Sequence, residues 1–132
     1  MAEIVVGGAD YVLPAICTAA EHVGDCVYVS GPALNGIMQV AKASVVDPTR
    51  MPAVGIVLSK ATTTDCAVMV FGVFYPGFLL TPSARYFVSA SAGLVPAPIP
   101  SSRPFIVQAM GQALDENRLL LAPSRDLVRL NP

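Results

Sequence analysis

The chain has 132 residues, of which 54% are hydrophobic and only 13% charged, and its net charge is −1. That length suits one domain able to bury a core without disulfide or metal staples, and the near-zero charge removes the basic footprint of a nucleic-acid binder. So few charges cannot cover the surface of a monomer, which predicts that part of the apolar excess lies in a subunit or partner interface.

In chain order, residues 1–10 carry Gly7-Gly8 and read as a loose arm or a first edge strand. Tyr11 to Thr18 is apolar but contains Pro14, which removes a backbone donor and predicts an edge or irregular strand. A short polar link follows, holding His22, the only histidine. Cys26 to Ser30 is a strand by β-branched and aromatic content, Asn35-Gly36 is a hairpin turn, and Ile37 to Ala43 is its partner strand. Asp47-Pro48-Thr49-Arg50 is a loop.

Met51 to Lys60 opens on Pro52. Val54, Ile56 and Leu58 share one face, and Ala53, Gly55 and Val57 the other. A strand with no polar face is covered on both sides, so this one is expected at the centre, with a hairpin before and after it. Thr62 to Asp65 turns the chain into an apolar strand, Cys66 to Phe74. Tyr75-Pro76-Gly77 and Thr81-Pro82-Ser83-Ala84 are further turns, and Arg85 to Ser89 is a short strand. Four prolines between Leu94 and Pro104 exclude helix and central strand, leaving an extended crossing. Phe105 to Gln112 is the next strand, and Asp115-Glu116-Asn117 turns it back into Arg118 to Leu121. The tail keeps Leu127, Val128 and Leu130, so it is expected to pack.

No stretch carries a long 3.6-residue apolar period. The pattern predicts an all-β fold, a compact sandwich or small barrel of about seven or eight short strands. Helix is limited to a turn or two, at Thr18 to Val23 or Ser124 to Leu130. The window Cys66 to Leu80 is interrupted by Gly72, Pro76 and Gly77 and is too short to span a bilayer. The opening Met-Ala-Glu-Ile has no basic segment, so no signal peptide is expected.

Reactive chemistry is sparse. One histidine and three isolated cysteines do not make a metal site. A Ser-His-acid triad would have to use His22 near Asp25, and no serine sits in a G-x-S-x-G frame. Neither Gly7-Gly8 nor the Gly31 to Gly36 run opens a helix or precedes Lys-Ser/Thr, so neither is a phosphate loop. Cys17, Cys26 and Cys66 have no C-x-x-C spacing and read as buried, reduced thiols, suited to assembly in a cytoplasm. Asp115-Glu116 reads as a solvated turn. Phe71, Phe74, Tyr75 and Phe78 gather at one hairpin end, where core or subunit-interface packing is the better reading than a sugar-stacking platform.

Several stations fall in a recognisable order: Gly24-Asp25-Cys26-Val27-Tyr28-Val29; Val40-Ala41-Lys42-Ala43-Ser44, Asp47-Pro48 and Met51-Pro52-Ala53-Val54-Gly55-Ile56; Leu80-Thr81-Pro82-Ser83-Ala84-Arg85-Tyr86-Phe87-Val88-Ser89; and Val107-Gln108-Ala109-Met110-Gly111-Gln112-Ala113-Leu114. Together, from Gly24 to Ala122, they resemble a family of small all-β phage virion proteins that serve as capsid decoration (cement) proteins, with related domains in tail fibres. Ser83 stands where the family usually has a turn glycine, and residues 1–23 and 123–132 lie outside the resemblance as an N-terminal arm with edge strand and a C-terminal tail. The resemblance implies a non-enzymatic protein without cofactor, located on the virion capsid surface. It would be a homotrimer bound to the major capsid protein, contacting neither nucleic acid nor membrane. The expected partner-facing residues are Ile4, Val5 and Val6 in the arm, with Met69, Phe71, Phe74, Tyr75 and Phe78. Two alternatives are a tail-fibre or spike domain binding a host surface glycan, and a small β-barrel hydrolase or ligand-binding protein.

Overall fold

The computed structural model describes residues 10–89, 91–96 and 105–130. Five strands make its first unit: β1 (Tyr11–Ile16), β2 (Cys26–Leu34), β3 (Ile37–Lys42), β4 (Gly55–Lys60) and β5 (Asp65–Phe74). The β2–β3 hairpin turns at Asn35 and Gly36, whose φ values of 52° and 78° are the positive ones such a turn demands. β4 lies between β2 and β5, antiparallel to both, with Cys26 opposite Ile56 and Ile56 opposite Met69. β1 runs antiparallel along β5 and meets β3 in parallel at Ala15 and Ile16, so the order β1-β3-β2-β4-β5 closes on itself as a barrel.

The second unit grows from the far end of β5. Its elements are β6 (Arg85–Val88), β7 (Leu94–Val95), β8 (Phe105–Val107), β9 (Ala109–Ala113), β10 (Leu119–Leu121) and β11 (Val128–Leu130). β5 pairs with β10 from Gly72 to Phe74, and the order continues β10-β9-β6-β7. β8 and β11 pair with each other. The handover on β5 falls at Gly72, at φ 134°, where a Cβ would collide with Asp10.

Strand alternation divides the interior in two. Ala15, Cys17, Val27, Val40, Val57, Cys66 and Val68 form one buried cluster to which every barrel strand contributes, so it fills the barrel. The larger cluster includes Cys26, Ile56, Met69, Phe74, Leu80, Tyr86, Met110, Leu119 and Leu121, and lies between the outside of β2, β4 and β5 and the second sheet. Neighbours along a strand serve opposite cores: Cys26 and Val27, Ile56 and Val57, Val68 and Met69. Hence β4 needs no polar face, and each large aliphatic chain buried this way contributes roughly 1.5–3 kcal/mol. Gly55 is small because a Cβ there would strike the Met69 carbonyl and the Val68 side chain on β5.

The structure corrects several sequence expectations. The Tyr11 to Thr18 stretch is an edge for only part of its length: among the described residues Tyr11 to Pro14 pair with β5 alone, with an irregularity between Tyr11 and Val12, whereas Ala15 and Ile16 also pair with β3 and close the barrel. Pro14 is accommodated because pairing with β3 starts only at Ala15. Neither expected helical turn forms. Thr18 to Val23 is a link organised by Glu21, and the end of Ser124 to Leu130 is β11. The one helical turn among the described residues is a 3-10 turn at Pro48–Arg50, capped by Asp47 accepting from Thr49 N. The strand expected from Phe105 to Gln112 is interrupted at Gln108, whose side chain is fully buried and hydrogen-bonded to other segments. Of the proline-rich crossing, residues 97–104 lie outside the described residues.

Candidate functional site

The groups with latent chemistry are dispersed or neutralised. His22 is 73% exposed, and its Nδ1 lies 3.7 Å from Asp25 Oδ2, a contact at the surface of the polar link. Among the described residues, no three His, Cys, Asp or Glu side chains converge as a metal site would require. All three thiols are free and buried. Burial, reinforced by the adjacent Cys17 thiol, pushes the Cys66 thiol up to about 12, and burial pushes Cys26 up as well. Both therefore stay protonated and non-nucleophilic at neutral pH.

Glu21 is the group that sequence reasoning missed. It is 2% exposed. Its Oε1 accepts from Thr18 N at 2.6 Å and Thr18 Oγ1 at 2.8 Å, and its Oε2 accepts from Lys42 N at 3.2 Å. Lys60 Nζ donates to the carbonyls of Thr18 and Glu21. Burial pushes the carboxyl up, but those hydrogen bonds and the Lys60 charge outweigh it and hold the group below the usual glutamate range. This is a latch joining the β1–β2 link to β3 and β4. No spacing in the sequence announces it, since its partners are 3, 21 and 39 positions away.

What the molecule offers to a partner is apolar surface. β5 ends at Phe74, and the turn through Pro76 and Gly77 (φ 85°) leaves Tyr75, Phe78 and Leu79 outside while Phe74 and Leu80 stay buried. Tyr75 is 66% exposed and Leu79 73%. With Gly77 and Asn117, these three side chains line an open groove of about 540 Å³. The loop is anchored at its far end: Leu80 N donates to Glu116 O, and Thr81 N donates to the buried Tyr86 hydroxyl. The facing β9–β10 turn is held by Asp115, whose Oδ1 accepts from Asn117 N and Arg118 N and whose Oδ2 accepts from Arg118 Nε at 2.8 Å. Those donors, Asn117 N first and the Arg118 guanidinium next, hold the Asp115 carboxyl below its ordinary range. The groove is thus an apolar platform on pinned turns.

A second apolar surface lies on β1, where Tyr11, Val12 and Leu13 are all exposed and Tyr11 faces half-exposed Phe71 across the β1–β5 ladder. The expected partner-facing residues accordingly separate. Phe71, Tyr75 and Phe78 are at the surface, whereas Met69 and Phe74 are buried in the larger core and present no surface there. Ile4, Val5 and Val6 lie outside the described residues. Leu79 and Tyr11 were not anticipated. The Phe78-Leu79-Leu80 run between two proline turns was the available signal, because only one of two adjacent leucines can face the core. No helix among the described residues is long and apolar enough to cross a membrane. Comparisons with protein families, with curated proteins and with solved structures each found no match.

Proposed function

We propose that this chain is a non-enzymatic virion structural protein, a capsid decoration protein that attaches to the outer shell of a phage head and stiffens it. The observation that carries the reading is the platform of Tyr75, Phe78 and Leu79, three large apolar side chains held at the surface by turns whose backbone is tied down at Leu80, Thr81 and Asn117. A surface of that kind is suited to burial against another protein, because its side chains lose little conformational freedom on docking. The scarcity of charge points the same way. The order of the motif stations from Gly24 to Ala122 supplies the virion context. Under this reading the major capsid protein is the partner, and self-association as a homotrimer sets the valency, each bound subunit holding the others near their sites.

The test is co-sedimentation of purified protein with phage heads that lack it, alongside tails from the same phage. Binding to heads that is lost in a Tyr75→Ser, Leu79→Ser double variant of unchanged thermal stability is the expected result. Binding to tails alone would replace the reading with the tail-fibre one, for which the exposed Tyr75 and Phe78 rings beside Asn117 offer the stacking and amide groups a sugar requires. Binding to neither would overturn both.

A further inference from the structure

The far end of the β2–β3 hairpin is lightly held. β2 pairs with β4 only at Cys26 and Val27, so beyond them its partner among the described residues is β3 alone. That ladder is interrupted in turn: Gly31 lies opposite Gln39 and Leu34 opposite Ile37, with a register shift between the two pairs. From Val29 to Gly36 no residue is buried, and Leu34, 49% exposed, belongs to neither core. One side-chain brace crosses the tip, Gln39 Nε2 donating to Pro32 O at 2.9 Å. A segment with so few buried contacts opens locally while the rest of the fold stays closed.

At that tip stands the one Asn-Gly pair in the chain, Asn35-Gly36, both residues exposed. Glycine has no Cβ to obstruct the approach of a neighbouring carbonyl to its own nitrogen. A Cβ placed on Gly36 would meet nothing within 4 Å, so the surrounding fold does not obstruct it either. We propose that Asn35 is a site of spontaneous modification. In the open tip the Gly36 backbone nitrogen attacks Asn35 Cγ and closes a succinimide ring. The Cγ–Nδ2 bond breaks, and ammonia leaves carrying the former Gly36 amide proton. Water then opens the ring at either carbonyl, giving aspartate by one route and isoaspartate by the other. Neither an oxidant nor a cofactor takes part.

The two products differ in what the fold can accept. Asn35 and Gly36 hold φ at 52° and 78°, the positive pair that this turn requires, and Asp-Gly serves there as Asn-Gly does. Isoaspartate instead routes the main chain through its side chain and adds a backbone atom, so Leu34 and Ile37 can no longer close in register. β3 meets β1 directly after the turn, Met38 opposite Ala15 and Gln39 opposite Ile16. Isoaspartate at position 35 therefore loosens β3 where it closes the barrel. Asn117 provides a contrast within the same molecule. It precedes the bulky Arg118, and its N–H donates to Asp115 Oδ1 in a turn also tied by the Asp115–Arg118 ion pair. This chemistry is independent of the capsid reading, and it adds an ageing reaction at the seam of the barrel.

The test holds the full chain at physiological temperature and mildly alkaline pH beside a synthetic peptide of residues 32–38. Peptide mass spectrometry follows the one-dalton gain at each asparagine, and isoaspartyl methyltransferase marks the isoaspartate. Asn35 in the folded chain should convert at no less than about a tenth of the peptide's rate, and at least about tenfold faster than Asn117. Slower conversion would mean that the closed turn protects the amide, and it overturns the proposal. So does conversion of Asn117 at a matching rate. In the purified isoaspartyl fraction the amides of Ile37 to Gln39 should exchange at least about tenfold faster than in the starting protein, whereas Asn35→Asp should keep wild-type exchange. Unchanged exchange in the isoaspartyl fraction would overturn the link to the barrel seam.

Discussion

Gln108 joins three separated stretches of chain, and removing its amide tests whether that junction holds the second sheet on the barrel. The side chain is fully buried between β8 and β9. Its Oε1 accepts from Ala53 N at 2.8 Å, and its Nε2 donates to Ala53 O and Ser124 O, both at 2.8 Å. Ala53 is itself 2% exposed, so Gln108→Met, which keeps the volume, strands a buried N–H and a buried C=O. Each stranded buried group costs about 1–3 kcal/mol, whereas half-buried Ser124 O can turn to water at little cost. The expected loss is therefore about 3–4 kcal/mol, or roughly 10–15 °C in melting temperature for a domain of this size. Urea unfolding followed by circular dichroism measures it, with an unchanged m-value showing that both end states are preserved. Gln108→Glu adds a second reading: its carboxylate would face two carbonyl oxygens, so that variant should be less stable at pH 7 than near pH 4. A loss below about 1 kcal/mol in Gln108→Met would refute the reasoning, since the Ala53 groups would then have other partners.

The Glu21 latch predicts a pH dependence. Its folded pKa lies below the unfolded value near 4.3, so its stabilisation is present above that value and lost as pH falls through the lower, folded one. In Glu21→Gln, urea midpoints should be lower at pH 7 and fall less steeply under acid than in the wild type; parallel curves would count against the latch. Ser83→Gly should stabilise by up to about 1 kcal/mol, because Ser83 sits at φ 72°, and a destabilised variant would show that the hydroxyl matters more than the backbone. Gly55→Ala should cost several kcal/mol, since the added methyl must displace β5, and a near-wild-type melting curve would mean that the β4–β5 contact is loose. The buried thiols should resist iodoacetamide in the native state at pH 7 and react fully in urea; native labelling of Cys66 would contradict its raised pKa.

Residues whose conformation is set within a few positions were legible in the sequence. Asn35-Gly36 marked a hairpin because both tolerate positive φ, and both adopt it. The unbroken apolar run around Val54 to Leu58 marked a strand covered on both faces, and β4 is buried between two cores. Asp115 marked a turn that its carboxylate holds. The all-β class followed from such local signals repeated along the chain.

What the sequence could not convey is which strand lies beside which, because pairing is decided by distant segments meeting at once. Pro14 argued for an edge, and at Pro14 itself β1 pairs with β5 alone; what the sequence did not show is that the same strand meets β3 one residue later, at Ala15, and so closes the barrel. Gln108 looked like one more strand position, and only the approach of Ala53 and Ser124 turns it into a buried bridge. Phe74 and Tyr75 are adjacent aromatics with equal claims to the core, and the bend after β5 sends one inside and the other out. Gly111 occupied a family-like station without a local reason; the structure supplies one, since a Cβ there would collide with the Leu120 backbone on β10. Local chemistry fixed the elements, and the long-range register, which depends on all of them packing together, decided which side chains became core, latch or surface.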